Sequence, residues 1–180
     1  MNLISTSFSL FMISFVILLS TSCRSASASI VSEVCKNTTD PKFCTETLNA
    51  DPRSKTADKK GLVRIITDKG LAKGKEDFDL INKLLKEARD PALKPLLEHC
   101  NFCYDLLSNR DFYDVIDALN NNDFVSASIM TTSAMDNAVD CEDGFNGAGV
   151  KSPLKSQNKY MEDLCFLSIE ILDKMIKIKV

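Results

Sequence analysis

The stretch from Cys100 to Cys141 constrains the fold more than any other, because apolar and small residues recur through it at helical spacing and a cysteine closes each end. Phe124, Ala127, Thr131, Ala134, Ala138, Cys141 and Phe145 follow in steps of three and four, the spacing of an apolar seam between packed helices. Over 100–119, Cys100, Cys103, Leu107, Val115, Ile116 and Leu119 fall near one face of a preceding helix. Between the two, Asn120, Asn121, Asn122 and Asp123 are turn and cap formers, so the pattern predicts a reversal there. Such a reversal returns Cys100 to the neighbourhood of Cys141. A bond between them would close a loop of about forty residues, worth about 4 kcal/mol by the chain-entropy argument.

The N-terminus reads differently. Phe8 to Leu19 is apolar except for Ser9 and Ser14, and it leads into the small residues Ser25, Ala26, Ser27, Ala28 and Ser29. That is the pattern of a secretory signal over 1–28, with cleavage near Ala26 or Ala28, although its start carries no Lys or Arg. The run is shorter than the roughly 20 residues of a membrane span, so no membrane attachment is expected after the leader is removed. Removal would take Cys23, one of seven cysteines, and Arg24, one of 22 basic residues set against 25 acidic ones. The remaining chain, 29–180, has the length of a single domain. Its mild acidity argues against a nucleic-acid partner. Export makes disulfides the default fate of the remaining cysteines, but six allow fifteen pairings and spacing alone does not choose among them. Asn37-Thr38-Thr39 is a glycosylation acceptor on such a route.

Residues 29–50 read as a short helical hairpin turning at Asp40-Pro41, which a Cys35 to Cys44 bridge would tie together for about 2.5 kcal/mol. After the polar connector 51–56 comes a four-segment bundle over 57–180. Leu62, Ile65, Ile66, Leu80, Ile81, Leu84, Leu85 and Ala88 mark its first long helix, in which Gly61, Gly70 and Gly74 each cost about 1 kcal/mol against alanine and leave a break near Gly74 open. The second helix starts at Pro91 or Ala92 with Pro95 in its first turn, and the third is the seam helix, ending near Phe145. Residues 146–153 form a loop by composition, and Met161, Leu164, Leu167, Ile171, Met175 and Ile178 face one way on the fourth helix. The expected fold is therefore all-α: an antiparallel up-down four-helix bundle with an N-terminal helical hairpin.

Nothing in the chain reads as catalytic machinery. His99 is the only histidine, and a surface or packing role suits it better than catalysis. Cys100-Asn101-Phe102-Cys103 matches a redox pattern, but it lies mid-helix and lacks the βαβ setting such motifs use. Cys141 and Cys165 lack the paired spacing that would complete a four-sulfur zinc site, so no metal and no cofactor are expected. The acids Glu76, Asp77, Asp79, Asp140, Glu142 and Asp143 read as solvated helix faces. An exported, stapled bundle of this kind is a binding protein rather than an enzyme.

The order and spacing of several short strings resemble the plant invertase inhibitor and pectin methylesterase inhibitor family over nearly all of 29–180. They are Cys100 with Tyr104 four residues on, Cys141-Glu142-Asp143-Gly144-Phe145, Ala50-Asp51-Pro52-Arg53-Ser54, Asp90-Pro91-Ala92-Leu93-Lys94 and Ser152-Pro153. The last three are similar to a pollen subgroup of invertase inhibitors that includes a plane-tree allergen. The resemblance implies disulfides Cys35–Cys44 and Cys100–Cys141, secretion to the extracellular cell wall, and reversible capping of a cell-wall or vacuolar invertase or of a pectin methylesterase. It leaves Cys103 and Cys165 over, expected as free buried thiols, a bond between them being the alternative. Some invertase inhibitors present Pro-Lys-Phe between the second and third bundle helices. This chain has Asn121, Asn122, Asp123 and Phe124 there, and these four are the expected partner contacts. Pro41-Lys42-Phe43, in the leading hairpin, reads as a turn plus a core contact. Invertase inhibition is the first expectation and pectin methylesterase inhibition the alternative. A non-inhibitory structural or ligand-binding bundle is the third, since the small seam residues Ala127, Ala134 and Ala138 leave room for a cavity.

Overall fold

The computed structural model describes residues 25–177, so the expected leader lies almost wholly outside the described residues, as does Ile178. The elements are α1 Ser25–Cys35, α2 Pro41–Asn49, a 3-10 turn Pro52–Lys55, α3 Lys59–Glu87, α4 Leu93–Leu106, a π-helical turn Leu107–Asp111, α5 Phe112–Asn120, α6 Phe124–Ala148 and α7 Lys155–Lys177. The expected all-α bundle with its leading hairpin and two disulfides, Cys35–Cys44 and Cys100–Cys141, is the observed architecture.

Local chemistry sets the helix ends. Asp40, Asp58 and Asp123 each accept a hydrogen bond from the backbone N–H three residues on, at Phe43, Gly61 and Ser126, satisfying donors that a helix start leaves unpaired. Pro41 opens α2, where its missing N–H costs nothing. Gly149 stops α6 in the left-handed conformation at φ 65°. Polypeptide direction reverses at each link, so α3, the α4–α5 rod, α6 and α7 form a ring in which each packs on its chain neighbours and α3 closes on α7.

The core has two halves. Toward one end, Val31, Val34, Cys35, Cys44 and Leu48 of the hairpin join Leu62, Ile65, Ile66, Val115, Leu119, Ala127, Leu164, Leu167 and Ile171. Burying each of the larger hairpin side chains contributes about 1.5–3 kcal/mol, which is how two helices too short to persist alone stay folded against the bundle. Toward the other end, Ile81, Leu97, Cys100, Cys103, Tyr104, Leu107, Phe112, Ala134, Ala138, Cys141, Phe145, Leu154, Met161 and Cys165 pack together. Of the expected seam, Ala127, Thr131, Ala134, Ala138, Cys141 and Phe145 are all buried, and Phe124 is half-buried.

Two sequence expectations are corrected, and one alternative left open is resolved. The helix over 100–119 is not α-helical throughout: Phe112 donates its N–H to the Leu107 carbonyl, five residues back, forming a π turn that puts Leu107, Ser108, Asp111 and Phe112 all inside. The long helix containing Gly70 and Gly74 is continuous as expected, and the break left open near Gly74 does not occur: both glycines are contact points, with Phe112 and Leu107 too close to leave room for a Cβ. Asp77 is not part of a solvated face. Its side chain is 1% exposed, Lys73 Nζ lies 2.7 Å from Oδ1, and Oδ2 has no hydrogen-bond partner among the described residues. Burial pushes this carboxyl above the usual carboxylate range, against the pull of Lys73.

Ser168 Oγ, on α7, is likewise buried without a hydrogen-bond partner among the described residues, whereas two other buried groups are linked across the helices. Tyr104 donates its hydroxyl to Asn158 Oδ1 at 2.9 Å, and Asn158 Nδ2 donates to Glu142 Oε2 at 2.8 Å, linking the second, third and fourth bundle helices. Asp111 accepts from Arg110 Nε at 2.9 Å and Asn137 Nδ2 at 2.7 Å.

Candidate partner-contact site

The link between α5 and α6 is a cap rather than a floppy loop. Asn121 donates its N–H to the Asp117 carbonyl, Asn122 to Leu119 and Asp123 to Ala118, while Asn122 takes the left-handed conformation at φ 56°. A backbone that reaches back from Asp123 to Ala118 over a left-handed asparagine is a Schellman-type termination, and asparagine tolerates that conformation better than most residues. The carboxylate of Asp123 then starts α6, accepting from Ser126 N at 3.0 Å and Ser126 Oγ at 2.7 Å. Asn121 Nδ2 donates to the Asp117 carbonyl at 3.0 Å, and Lys60 Nζ, from the first turn of α3, donates to Asn122 Oδ1 at 2.9 Å.

These bonds bring Asn121, Asn122 and Asp123 together as an exposed ridge at the end of the bundle. Phe124 does not join them: it is half-buried and packs on the hairpin-end core. A shallow depression flanks the ridge, lined by Asp114, Asp117, Ala118, Asn121, Asp123, Ser126 and Met130. Beyond it, Val125 and Ile129 on α6 are 52% and 56% exposed. Those two lie one helical turn apart and were absent from the expected contacts. Their positions, four apart and off the buried seam, were the available signal.

The ridge offers amide donors and acceptors, one carboxylate and an adjoining apolar strip, which suit recognition rather than bond-making. No group of three or more His, Cys, Asp or Glu side chains among the described residues is placed to hold a metal ion. Pro41-Lys42-Phe43 is at the start of α2, with Phe43 edge-on to Tyr160 at 6.0 Å, so it forms a turn and a core contact. Cys103 and Cys165 are buried free thiols. Desolvation pushes Cys103 up to about 11, opposite to what a thiolate nucleophile needs, and raises Cys165 as well. His99 Nε2 lies 3.2 Å from the Asp140 carbonyl, where the ring packs over Gly144.

Residues 29–171 match the family described as "Plant invertase/pectin methylesterase inhibitor". The chain belongs to that family. Its members are inhibitors and not enzymes. Relatives with both kinds of name are similar to it: a "Pectinesterase inhibitor" of Actinidia deliciosa is 32% identical over 79% of this chain and 77% of its own length. A "Putative invertase inhibitor" of Platanus acerifolia is 34% identical over 81% of this chain and 84% of its own. A crystal structure of a mutant form of an Arabidopsis pectin methylesterase inhibitor superposes with a TM-score of 0.70 at 21% identity, covering 79% of this chain and 95% of that one, a likeness of fold. This inhibitor is therefore placed by family, and the choice between the two target enzymes is left to its contact surface.

Proposed function

We propose that residues 29–180 form a secreted inhibitor that caps the active site of an acid invertase in the cell wall or vacuole with the ridge Asn121, Asn122 and Asp123, Phe124 stiffening it from behind. The observation that carries this reading is the bracing of the ridge from three sides, by Asp117 behind, Ser126 ahead and Lys60 across the bundle. A polyhydroxylated substrate pocket is lined by groups that hydrogen-bond, and a ridge of amides and a carboxylate held in fixed positions can occupy such a pocket without losing side-chain freedom on binding. Val125 and Ile129 extend the surface with apolar area that the partner's rim would cover. Secretion rests on the leader pattern over 1–28 and on the disulfides, which persist in oxidising compartments.

Inhibition of a pectin methylesterase is the second reading, favoured by the similarity to the Actinidia protein. The third, a ligand-carrying bundle, loses its main support because Ala127, Ala134 and Ala138 are fully buried in helix contacts.

Titrating the purified protein against an acid invertase and against a pectin methylesterase decides the target. Stoichiometric loss of sucrose hydrolysis is expected, and inhibition of the esterase alone would overturn the choice. Asn122→Gly keeps the left-handed backbone while deleting the amide, and Asn121→Lys adds bulk and charge. Each should raise the inhibition constant about tenfold or more if the ridge is a binding hot spot, and unchanged potency in both would remove the ridge from the interface.

A further inference from the structure

The turn that carries the glycosylation sequence is held by the last helix. Thr39, the hydroxyl residue of Asn37-Thr38-Thr39, donates its N–H to Glu170 Oε1 at 2.9 Å and Oε2 at 3.2 Å, and its hydroxyl to Oε1 at 2.7 Å. One turn on, Lys174 Nζ donates to the Asn37 carbonyl. Both contacts span most of the chain, 131 and 137 residues in sequence. The turn is also wound locally: Asn37 and Thr38 donate their N–H groups back to Val34 and Cys35 of α1, and the Thr38 hydroxyl bonds the Cys35 carbonyl at 2.7 Å. The Asn37 side chain itself is exposed, with a long bond of 3.4 Å from Nδ2 to the Glu33 carbonyl.

Serine and threonine are the residues accepted at the third position of the acceptor sequence, and the hydroxyl is what they share, so the hydroxyl is what the glycosyl-transferring enzyme reads. In the folded protein that hydroxyl already donates to a carboxylate, the stronger class of hydrogen bond. We propose that Asn37 is an N-glycan acceptor whose window of modification closes when α7 docks, with Glu170 as the residue that closes it. Transfer forms a bond between Asn37 Nδ2 and the first sugar carbon, displaces the diphosphate of a lipid-linked oligosaccharide donor, and releases the amide proton. Before α7 is in place the turn is free to present Nδ2 and the Thr39 hydroxyl together. Afterwards Glu170 holds the hydroxyl and Lys174 the backbone. The exposed Asn37 side chain lets a glycan that is already attached remain without disturbing the packing. Occupancy thus records the order of events, modification before closure of the bundle.

The inference rests on the secretory reading for its setting, but its test does not. Unmodified full-length protein with native disulfides, made in a host without the transferase, is offered to purified oligosaccharyltransferase and a lipid-linked oligosaccharide. The same chain is offered reduced and alkylated, and native Glu170→Ala and Glu170→Gln variants are assayed alongside, with helicity and disulfide pairing checked first. The unfolded wild type should accept glycan at least about tenfold faster than the native wild type, the factor expected for giving up a charge-assisted hydrogen bond. Native Glu170→Ala should recover much of that rate, Glu170→Gln less, and Glu170→Ala reduced and alkylated should match the unfolded wild type. Equal rates for native and unfolded wild type, no acceleration in Glu170→Ala, or no acceptance by the unfolded chain would each overturn the proposal. A secretory pathway that does not receive this chain would leave these rates unchanged, so failure of that reading shows separately.

Discussion

Substituting alanine for Gly70 tests whether the bundle's close contacts or its helix propensities dominate. In an α3 free of tertiary contacts, Gly70→Ala would stabilise by about 0.8–1 kcal/mol, since alanine loses less backbone entropy. Here the new Cβ would press on the edge of the Phe112 ring, closest to Cζ and 2.8 Å from Cε1, and that ring is only 2% exposed at the start of α5. Overpacking of this kind costs about 1–3 kcal/mol, and the preceding π turn leaves Phe112 little freedom to retreat. The net expectation is destabilisation by about 1 kcal/mol. Gly147, near the end of α6, has nothing within 4 Å of the same atom. Gly147→Ala should therefore stabilise by about 0.5–1 kcal/mol. Urea unfolding followed by far-UV circular dichroism reads both, and with slopes of about 1–3 kcal/mol/M the midpoints should move in opposite directions by a few tenths of a molar unit or more. Phe112→Leu in the Gly70→Ala background supplies the cycle: its cost should be smaller than in the wild type, by about 0.5 kcal/mol or more. A Gly70→Ala midpoint rising together with that of Gly147→Ala would show that helix propensity, not the contact with Phe112, dominates at this position.

Replacing Cys100 and Cys141 by alanine should lower stability by about 4 kcal/mol, against about 2.5 for the Cys35 and Cys44 pair, because the loops closed span 41 and 9 residues; denaturant midpoints measured with intact and deleted bridges check the order, and the reverse ranking would contradict it. Asp77 carries a carboxyl raised by burial, so the native state binds its proton more tightly than the unfolded chain. The stability this group contributes is present below the unfolded carboxylate range and is lost as pH rises through the raised value, so Asp77→Asn should gain on the wild type as pH rises through that interval in paired urea titrations. A variant that instead loses ground over that interval would show that the Lys73 ion pair outweighs the desolvation.

How far the sequence is legible depends on the range of the interaction. The seam of α6 is written in steps of three and four, and the structure buries those positions from Ala127 to Phe145. The caps at Asp40, Asp58 and Asp123 are equally local. Gly70 and Gly74 were visible only as weaknesses in a helix, because their purpose depends on Phe112 and Leu107, residues on another element. Asp77 looked like part of a solvated acidic run for the same reason: spacing does not say which side of a long helix a neighbour will cover. The link from Tyr104 to Asn158, 54 residues apart, has no signature in either segment. At the candidate site, Asn121, Asn122 and Asp123 were legible as a turn, whereas the inward set of Phe124 and the brace from Lys60 follow only from how α3 and α6 meet.

The placement of the cross-links bears on how such a molecule can inhibit. Cys100–Cys141 joins the second and third bundle helices toward the end away from the ridge, and the ridge end is instead closed by the hairpin and its own Cys35–Cys44 bond. Inhibition by occlusion needs no reactive group, so affinity turns on how little order is gained when the partner arrives. Each rotamer-rich side chain fixed on binding costs about 0.5–1.5 kcal/mol. At the ridge, the backbone N–H groups of Asn121, Asn122 and Asp123 are already bonded to α5, and the side chains of Asn121, Asn122 and Asp123 are bonded to Asp117, Lys60 and Ser126. Most of that ordering is therefore complete in the free protein, at the cost of presenting only the hydrogen-bonding capacity that these internal partners leave over. A surface of this kind discriminates by position: a pocket whose groups match the remaining lone pairs and N–H bonds is filled, and one offset by a fraction of a hydrogen-bond length leaves buried polar atoms unpaired at about 1–3 kcal/mol each. Under the proposed function, substitutions at Asn121, Asn122 and Asp123 would therefore change which enzyme is bound without a change of fold.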